Sequence, residues 1–201
     1  MSKTVIFIDF DDTLFPTEWV QSSNININNP NETLISLFSD LDTLITDMVI
    51  KMTFLGDVLI VTNGSSSWVN NCLKVLPTFK QVIDNGAVSV TSARDLFQDE
   101  HDKGQWKRLT FQLHFNEHIS DHEGRHHILS FGDSSAEHDA VLELKNYNAK
   151  ENQERIIKSI KFIEQPSLNQ LVVQLQTINV IQEEIIQKDE DYVFNLGDFI
   201  L

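Results

Sequence analysis

The segment VIFIDFDDTL at residues 5–14 constrains the fold more than any other part of this sequence. Its first four residues and Phe10 are apolar, and several are β-branched, which is typical of a strand buried on both faces of a parallel sheet. The strand ends among three acids, Asp9, Asp11 and Asp12. Carboxylates in such a place are costly unless a cation or hydrogen bonds offset their repulsion. The segment therefore predicts a functional site at the end of a core strand.

The spacing of these acids predicts how they divide. In an extended chain, alternate side chains point to the same side, which groups Asp9 with Asp11 and sends Asp12 the other way. We expect the first two to share a metal ion and Asp12 to face solvent.

Apolar segments alternate with helical patterns along the rest of the chain. This alternation predicts an α/β fold: a doubly wound, Rossmann-like parallel sheet of five strands flanked by helices, with its ligand beyond the carboxyl ends of the strands. The predicted strands are residues 5–10, 57–62, 87–91 (an edge strand), 128–131 and 156–163.

The remaining segments complete one predicted domain, residues 1–201. A long apolar stripe predicts one helix over residues 34–55, and Ser167 with Gln170 forms a capping box that begins the last helix. Residues 14–31 are expected to form a flap or loop. Residues 188–201 form an acidic tail of uncertain structure.

Composition excludes several classes of partner. Fifteen Lys and Arg against thirty Asp and Glu give a formal charge of −15, which disfavours nucleic acids and anionic membranes. The apolar runs are too short to span a membrane, and we expect a cytoplasmic protein. The single cysteine, Cys72, lies in an apolar helical pattern that favours a buried packing role over a nucleophilic one.

Asp9-Phe10-Asp11-Asp12-Thr13 resembles motif I, DxDxT, of the haloacid dehalogenase (HAD) superfamily of phosphohydrolases. Thr62, at the end of the second predicted strand, is similar to motif II, where a hydroxyl and the next amide hold a phosphoryl oxygen. Asn63 and Gly64 follow it, and their amides are able to point at an anion.

The two later motifs of this superfamily also have counterparts in the chain. Motif III is a lysine near a helix start, for which Lys107 is favoured and Lys103 is the alternative. Gly132-Asp133 resembles motif IV, which implies that Asp133 completes a metal site. The second acid of that motif, commonly Asp, is Glu137 here. Glu137 either reaches the metal through a water or caps the helix.

The resemblance implies a phosphatase. Asp9 would attack phosphorus to form an aspartyl-phosphate, and Asp11 would act first as general acid and then as general base. Mg²⁺ would be held by Asp9, Asp11 through its backbone carbonyl, and Asp133, while Thr62 and Lys107 complete the phosphoryl cradle.

No large cap insertion is present, so the resemblance implies an open, capless site. Such a site suits a phosphoprotein or another large phosphoester, or closure by a second subunit, and the oligomeric state stays open. The alternative function is a catalytically silent module of the same fold that binds a protein partner or a phosphorylated ligand.

Four histidines recur at intervals of four residues: His114, His118, His122 and His126. On one helix they would align for zinc, but Gly124 and the turn-like residues before it interrupt the series. We favour a polar loop that borders the site over a metal centre.

Overall fold

Six parallel strands form the centre of the protein in the computed structural model, which describes residues 2–199. Their order across the sheet is β3-β2-β1-β4-β5-β6. The first three strands therefore extend from β1 toward one edge of the sheet. The chain then returns to the other side of β1, where β4, β5 and β6 extend toward the opposite edge. The strands are β1 (Lys3–Ile8), β2 (Asp57–Thr62), β3 (Ser89–Ser92), β4 (Gly124–Gly132), β5 (Gln153–Lys161) and β6 (Tyr192–Asn195).

The α/β class and the Rossmann-like parallel sheet are confirmed, but the predicted number of five strands is wrong. The sixth strand, β6, lies in the segment predicted to be a tail of uncertain structure, and it pairs with β5 from Lys158 to Lys161. Exposed and half-buried residues alternate in β6, so it lacks the continuous apolar run of a central strand. Residues 200 and 201 of that tail lie outside the described part of the chain.

Nine α-helices connect or follow the strands within residues 2–199. They are α1 (Thr17–Ser22), α2 (Glu32–Leu37), α3 (Ser39–Thr53), α4 (Ser66–Cys72), α5 (Pro77–Asp84), α6 (Ala93–Phe97), α7 (Lys103–His118), α8 (Ser135–Glu143) and α9 (Leu168–Gln187). The predicted capping box of α9 is confirmed: Ser167 accepts from the Gln170 amide, and Gln170 accepts from the Ser167 amide.

Two predicted segments differ from the structure. The single helix expected over residues 34–55 is two helices, because Phe38 leaves helical geometry with φ −96° and ψ 3° between them. Its ring is buried and stacks on Phe15 at 5.4 Å, so the apolar periodicity continues through the break. The segment expected to be a flap, residues 14–31, contains a helical turn and a half, α1.

Apolar side chains cover both faces of the sheet. On one face Ile6 and Ile8 of β1 belong to the larger core, which α3 and α9 complete. On the other face the Phe7 ring stacks on Phe111 of α7 at 4.0 Å. Lys107 lies one helical turn before Phe111, so this packing fixes the position of Lys107 along the sheet. Cys72 is fully buried in the larger core, where desolvation raises the pKa of its thiol.

None of the helices within residues 2–199 combines the length and the apolar character that a membrane crossing requires.

Candidate active site

Three carboxylates meet beyond the carboxyl ends of β1 and β4, where the strand order reverses. Asp9 follows β1, Asp133 follows β4, and Glu137 lies in the first turn of α8. One oxygen from each lies within 4.8 Å of an oxygen of the other two. The Asp9 amide donates to the carbonyl of Phe131 in β4 at 2.8 Å, which holds the two strand ends together. We call Asp9, Asp133 and Glu137 the acidic centre.

Within the described chain, Lys107 is the only cation in direct contact with the acidic centre, and it contacts two of the three acids. Its ammonium donates to Asp9 Oδ1 and lies 2.8 Å from Glu137 Oε1. The side chain is 2 % exposed, which is rare for lysine unless it is paired. Lys103, the alternative at sequence level, is exposed and lies on the rim of the same cavity. Of the two lysines, Lys107 is therefore the one that contacts the acidic centre.

Glu137 has two roles at once. Its Oε2 accepts from the amide of Ser134 at 3.1 Å and from the Ser134 hydroxyl at 2.5 Å, which forms a capping box on α8. Its Oε1 faces Lys107 in the acidic centre. Gly132 makes this approach possible, because a Cβ at that position would lie 2.5 Å from Glu137 Cγ. The capping role of Glu137 is thus present, and it is combined with a place in the centre.

Burial and mutual repulsion perturb the protonation of the acidic centre. Burial raises the pKa of Asp9 well above its ordinary value, although the Lys107 charge opposes this effect. Burial, the Glu137 charge and the Asp12 charge together raise the pKa of Asp133 to about 7. Burial also disfavours the charged form of Glu137, but its contacts with Lys107 and Ser134 outweigh this and lower its pKa. One lysine therefore does not neutralise the three carboxylates.

The Asp11 carboxylate is not part of the acidic centre. Its Oδ1 accepts from Thr17 at 2.6 Å and from the Trp68 indole at 2.8 Å, and its Oδ2 accepts from Thr62 at 2.7 Å. The expectation that the Asp9 and Asp11 side chains share a metal ion assumed an extended chain, but β1 ends at Ile8. The described structure therefore groups Asp9 with Asp133 and Glu137, while the Asp11 carboxylate turns toward β2.

The turn after β1 explains this division. Asp12 adopts a left-handed conformation with φ 55°, which Asp tolerates better than most residues, and its amide donates to the Phe15 carbonyl at 2.7 Å. Its carboxylate accepts from the Glu18 amide at 3.0 Å. Asp12 is half-buried on the cavity wall, so the expected outward, solvent-facing orientation is only partly realised.

Thr62, Asn63 and Gly64 form the neighbouring strand end. Thr62 is fully buried and does not line the cavity, because its hydroxyl donates to Asp11 and accepts from the Gly64 amide at 2.8 Å. Asn63 and Gly64 do line the cavity. The Asn63 Oδ1 atom is buried and has no hydrogen-bond partner within the described chain. Thr62 thus positions Asp11, and its proposed phosphoryl contact stays a prediction.

A cavity of about 710 Å³ opens above these groups. Sequence patterns did not single out several residues of its wall: Thr17, Gln21, Trp68 and Arg94. The one sequence signal for Trp68 is that it directly follows the segment NGSSS after β2. Arg94 follows β3, and with Lys103 it adds positive charge to the rim.

The histidine-containing loop does not border this cavity. Residues 119–123 precede β4, so they lie at the amino end of the sheet, whereas the acidic centre lies at the carboxyl end. The expected polar loop beside the site is therefore at the wrong edge of the sheet.

No match to this chain was found among protein-family models, curated proteins or solved structures.

Proposed function

We propose that this protein is a Mg²⁺-dependent phosphatase of the HAD type, acting through an aspartyl-phosphate on Asp9. The observation that carries the proposal is the acidic centre with Lys107 inserted between Asp9 and Glu137. A nucleophilic carboxylate, a second acid on the next strand end and a buried lysine in one cavity match what phosphoryl transfer needs: a nucleophile together with positive charge for the transferred group.

The donor set of the acidic centre fits Mg²⁺. All three groups offer carboxylate oxygens, which are the ligands this ion prefers. Burial and the neighbouring acids raise the pKa of Asp9 and Asp133, so a bound cation would favour their charged forms. Asp9, the backbone carbonyl of Asp11 and Asp133 would hold the ion, with Glu137 contributing through a water. When bound, it neutralises charge on the phosphoryl oxygens.

Asp9 performs the first step in this proposal. One of its oxygens forms a bond to phosphorus while the bond from phosphorus to the ester oxygen breaks. Lys107 offsets the negative charge of Asp9 and of the phosphoryl group. Its buried contacts with Asp9 and Glu137 raise the pKa of its ammonium and so keep it protonated. Asn63 and Gly64 offer polar groups on the β2 side of the cavity.

Asp11 handles the proton. It donates to the leaving oxygen, then accepts a proton from the water that hydrolyses the aspartyl-phosphate. Thr17, Thr62 and Trp68 hold its carboxylate from three directions, which fixes its orientation toward the cavity that it lines. Preorganisation of this kind contributes to catalysis because the group does not have to be ordered during the reaction.

The proposed substrate is a phosphoester large enough to extend beyond the cavity, such as a phosphoprotein. The wall contributed by α1 consists of Thr17 and Gln21, and no other residue of the 14–31 segment lines the cavity within the described chain. Arg94 and Lys103 at the rim provide local positive charge in a chain whose net charge is −15. They favour anionic substrates that the rest of the surface repels.

The test is a phosphatase assay over a panel of phosphoesters, with and without Mg²⁺. We expect turnover that requires the ion, and Asp9→Asn should abolish both turnover and acid-stable labelling of the protein by phosphate. Asp11→Asn should slow hydrolysis of alkyl phosphates far more than that of activated aryl phosphates, because only the former need proton donation.

The two lysines provide a matched comparison. Lys107→Ala should reduce turnover far more than Lys103→Ala, since Lys107 alone contacts Asp9 and Glu137. Phosphoester binding without turnover in the wild type would instead favour the silent binding module. Equal effects of the two substitutions would refute the role given to Lys107.

A further inference from the structure

A second group of ligand-type side chains lies at the opposite end of the sheet, in the last turn of α7. His114, Glu117 and His118 form the sequence H-x-x-E-H, and their spacing of three and four residues places them on one face of the helix. One donor atom from each lies within 4.8 Å of the other two. We call these three residues the α7 cluster.

The α7 cluster is separate from the acidic centre. His118 Nδ1 lies 3.0 Å from the carboxylate of Asp57, the first residue of β2, whereas Asp11 contacts Thr62, the last residue of that strand. Five steps of about 3.3 Å place the two ends of β2 roughly 17 Å apart. A ligand of one group is thus out of reach of the other.

Both imidazoles are held by groups outside the cluster. Asp57 accepts from Nδ1 of His118, and the Thr91 hydroxyl of β3 lies 3.0 Å from Nε2 of His114. Histidines that bind metals typically have their second ring nitrogen engaged by such an oxygen, which sets the ring orientation. Here two different strands supply those oxygens, and His114 is itself 9 % exposed.

The spacing within the cluster suits a tetrahedral ion. His114 Nδ1 and Glu117 Oε2 are 3.0 Å apart. Two ligands at zinc bond lengths in a tetrahedron are separated by about 3.4 Å, so an ion fits between them after a small adjustment. In the neutral tautomer whose single N–H faces Glu117, ion binding moves that proton from Nδ1, which becomes the metal ligand, to Nε2, where it is donated to the Thr91 hydroxyl.

We propose that His114, Glu117 and His118 bind Zn²⁺, with water as the fourth ligand and with Thr91 and Asp57 as positioning residues. Two imidazoles and one carboxylate form a known three-ligand zinc set, and nitrogen ligands disfavour Mg²⁺. The carboxyl end of α7 attracts a cation, and Asp57, whose Oδ2 also lies 3.9 Å from the Lys3 ammonium, places negative charge beside His118. Glu117 and His118 have side chains that are 54 % and 28 % exposed, which leaves the fourth position open to solvent.

Zn²⁺ titration of the untagged protein by calorimetry, in excess Mg²⁺ to fill the acidic centre, tests the proposal. We expect one equivalent to bind in the wild type. Glu117→Gln and His118→Gln should each weaken binding by at least about tenfold, and Asp57→Asn by a similar factor. His122→Gln is the matched control, because His122 continues the four-residue spacing but lies beyond the end of α7, and it should leave the affinity unchanged.

Co²⁺ provides a second readout, since a tetrahedral site gives visible absorption bands that a hydrated ion lacks. These bands should appear in the wild type and in His122→Gln and be lost in His118→Gln. Absence of stoichiometric Zn²⁺ binding, or an affinity that Glu117→Gln and His118→Gln leave intact, would overturn the proposal. Neither readout requires phosphatase activity, so this inference stands or falls independently of the proposed function.

Discussion

Replacing Asp133 by Asn should stabilise the folded protein when divalent ions are absent. The pKa of Asp133 is raised from the ordinary 3.8 to about 7 by burial and by the charges of Glu137 and Asp12. This difference corresponds to about 4 kcal/mol, at 1.36 kcal/mol per pH unit. Asp133 is only half-buried, so solvent screening reduces the expected gain to about 2 kcal/mol.

The sign of the pH dependence follows from proton binding. The unfolded chain releases the Asp133 proton near pH 4, but the folded chain keeps it until about pH 7. Between these values the folded state holds more protons, so the stability of the wild type falls as the pH rises. Asn does not ionise, and the advantage of Asp133→Asn should therefore grow from about pH 4 to pH 7 and stay constant above it.

Urea unfolding at a series of pH values, with a chelator present, measures this effect. The control is Asp99→Asn, which removes one negative charge from an exposed position and reports the benefit of reducing the net charge of −15 alone. Excess Mg²⁺ should then stabilise the wild type more than the Asp133→Asn variant. Two results would contradict this reasoning: Asp133→Asn is no more stable than Asp99→Asn at pH 8, or its gain in stability over the wild type grows as the pH falls. Either would mean that the charge of Asp133 does not destabilise the folded state.

Three further predictions concern the helix contacts of Gly132, the Asp11 contact of Trp68 and the buried thiol of Cys72. Gly132→Ala should destabilise the protein by about 1–3 kcal/mol in urea unfolding, because the new Cβ collides with Glu137, whereas Gly104→Ala meets no atom within 4 Å and should stabilise it by about 0.5–1 kcal/mol. Trp68→Phe keeps an aromatic ring but removes the donor to Asp11 Oδ1, so in steady-state assays it should lower kcat by about tenfold with KM nearly unchanged. The Cys72 thiol should react with a disulfide reagent at pH 8 only as fast as the chain unfolds, because it is buried and its pKa is raised; rapid reaction of the native protein would contradict this.

The arrangement of the strand ends was predictable from the sequence because it depends on the chain's strongest local signals. Continuous apolar runs fix β1, β2 and the end of β4 in one parallel sheet, and parallel strands place Asp9 and Asp133 at the same edge. The edge position predicted for β3 is confirmed as well. The sixth strand was missed because its residues alternate in burial and follow a charged segment, so its pairing with β5 is set by tertiary contact.

The direction of the Asp11 side chain was beyond a sequence argument for a different reason. Alternation holds only while the chain is extended, and the left-handed residue Asp12 shows that the backbone turns immediately after Asp11. Three hydrogen-bond donors that are distant in sequence orient the carboxylate: a threonine in α1, a threonine at the end of β2 and an indole in α4. Each belongs to a separate element, so their convergence exists only in the folded chain. The same turn leaves Asp9 beside Lys107 and brings the Asp11 carboxylate to Thr17, Thr62 and Trp68.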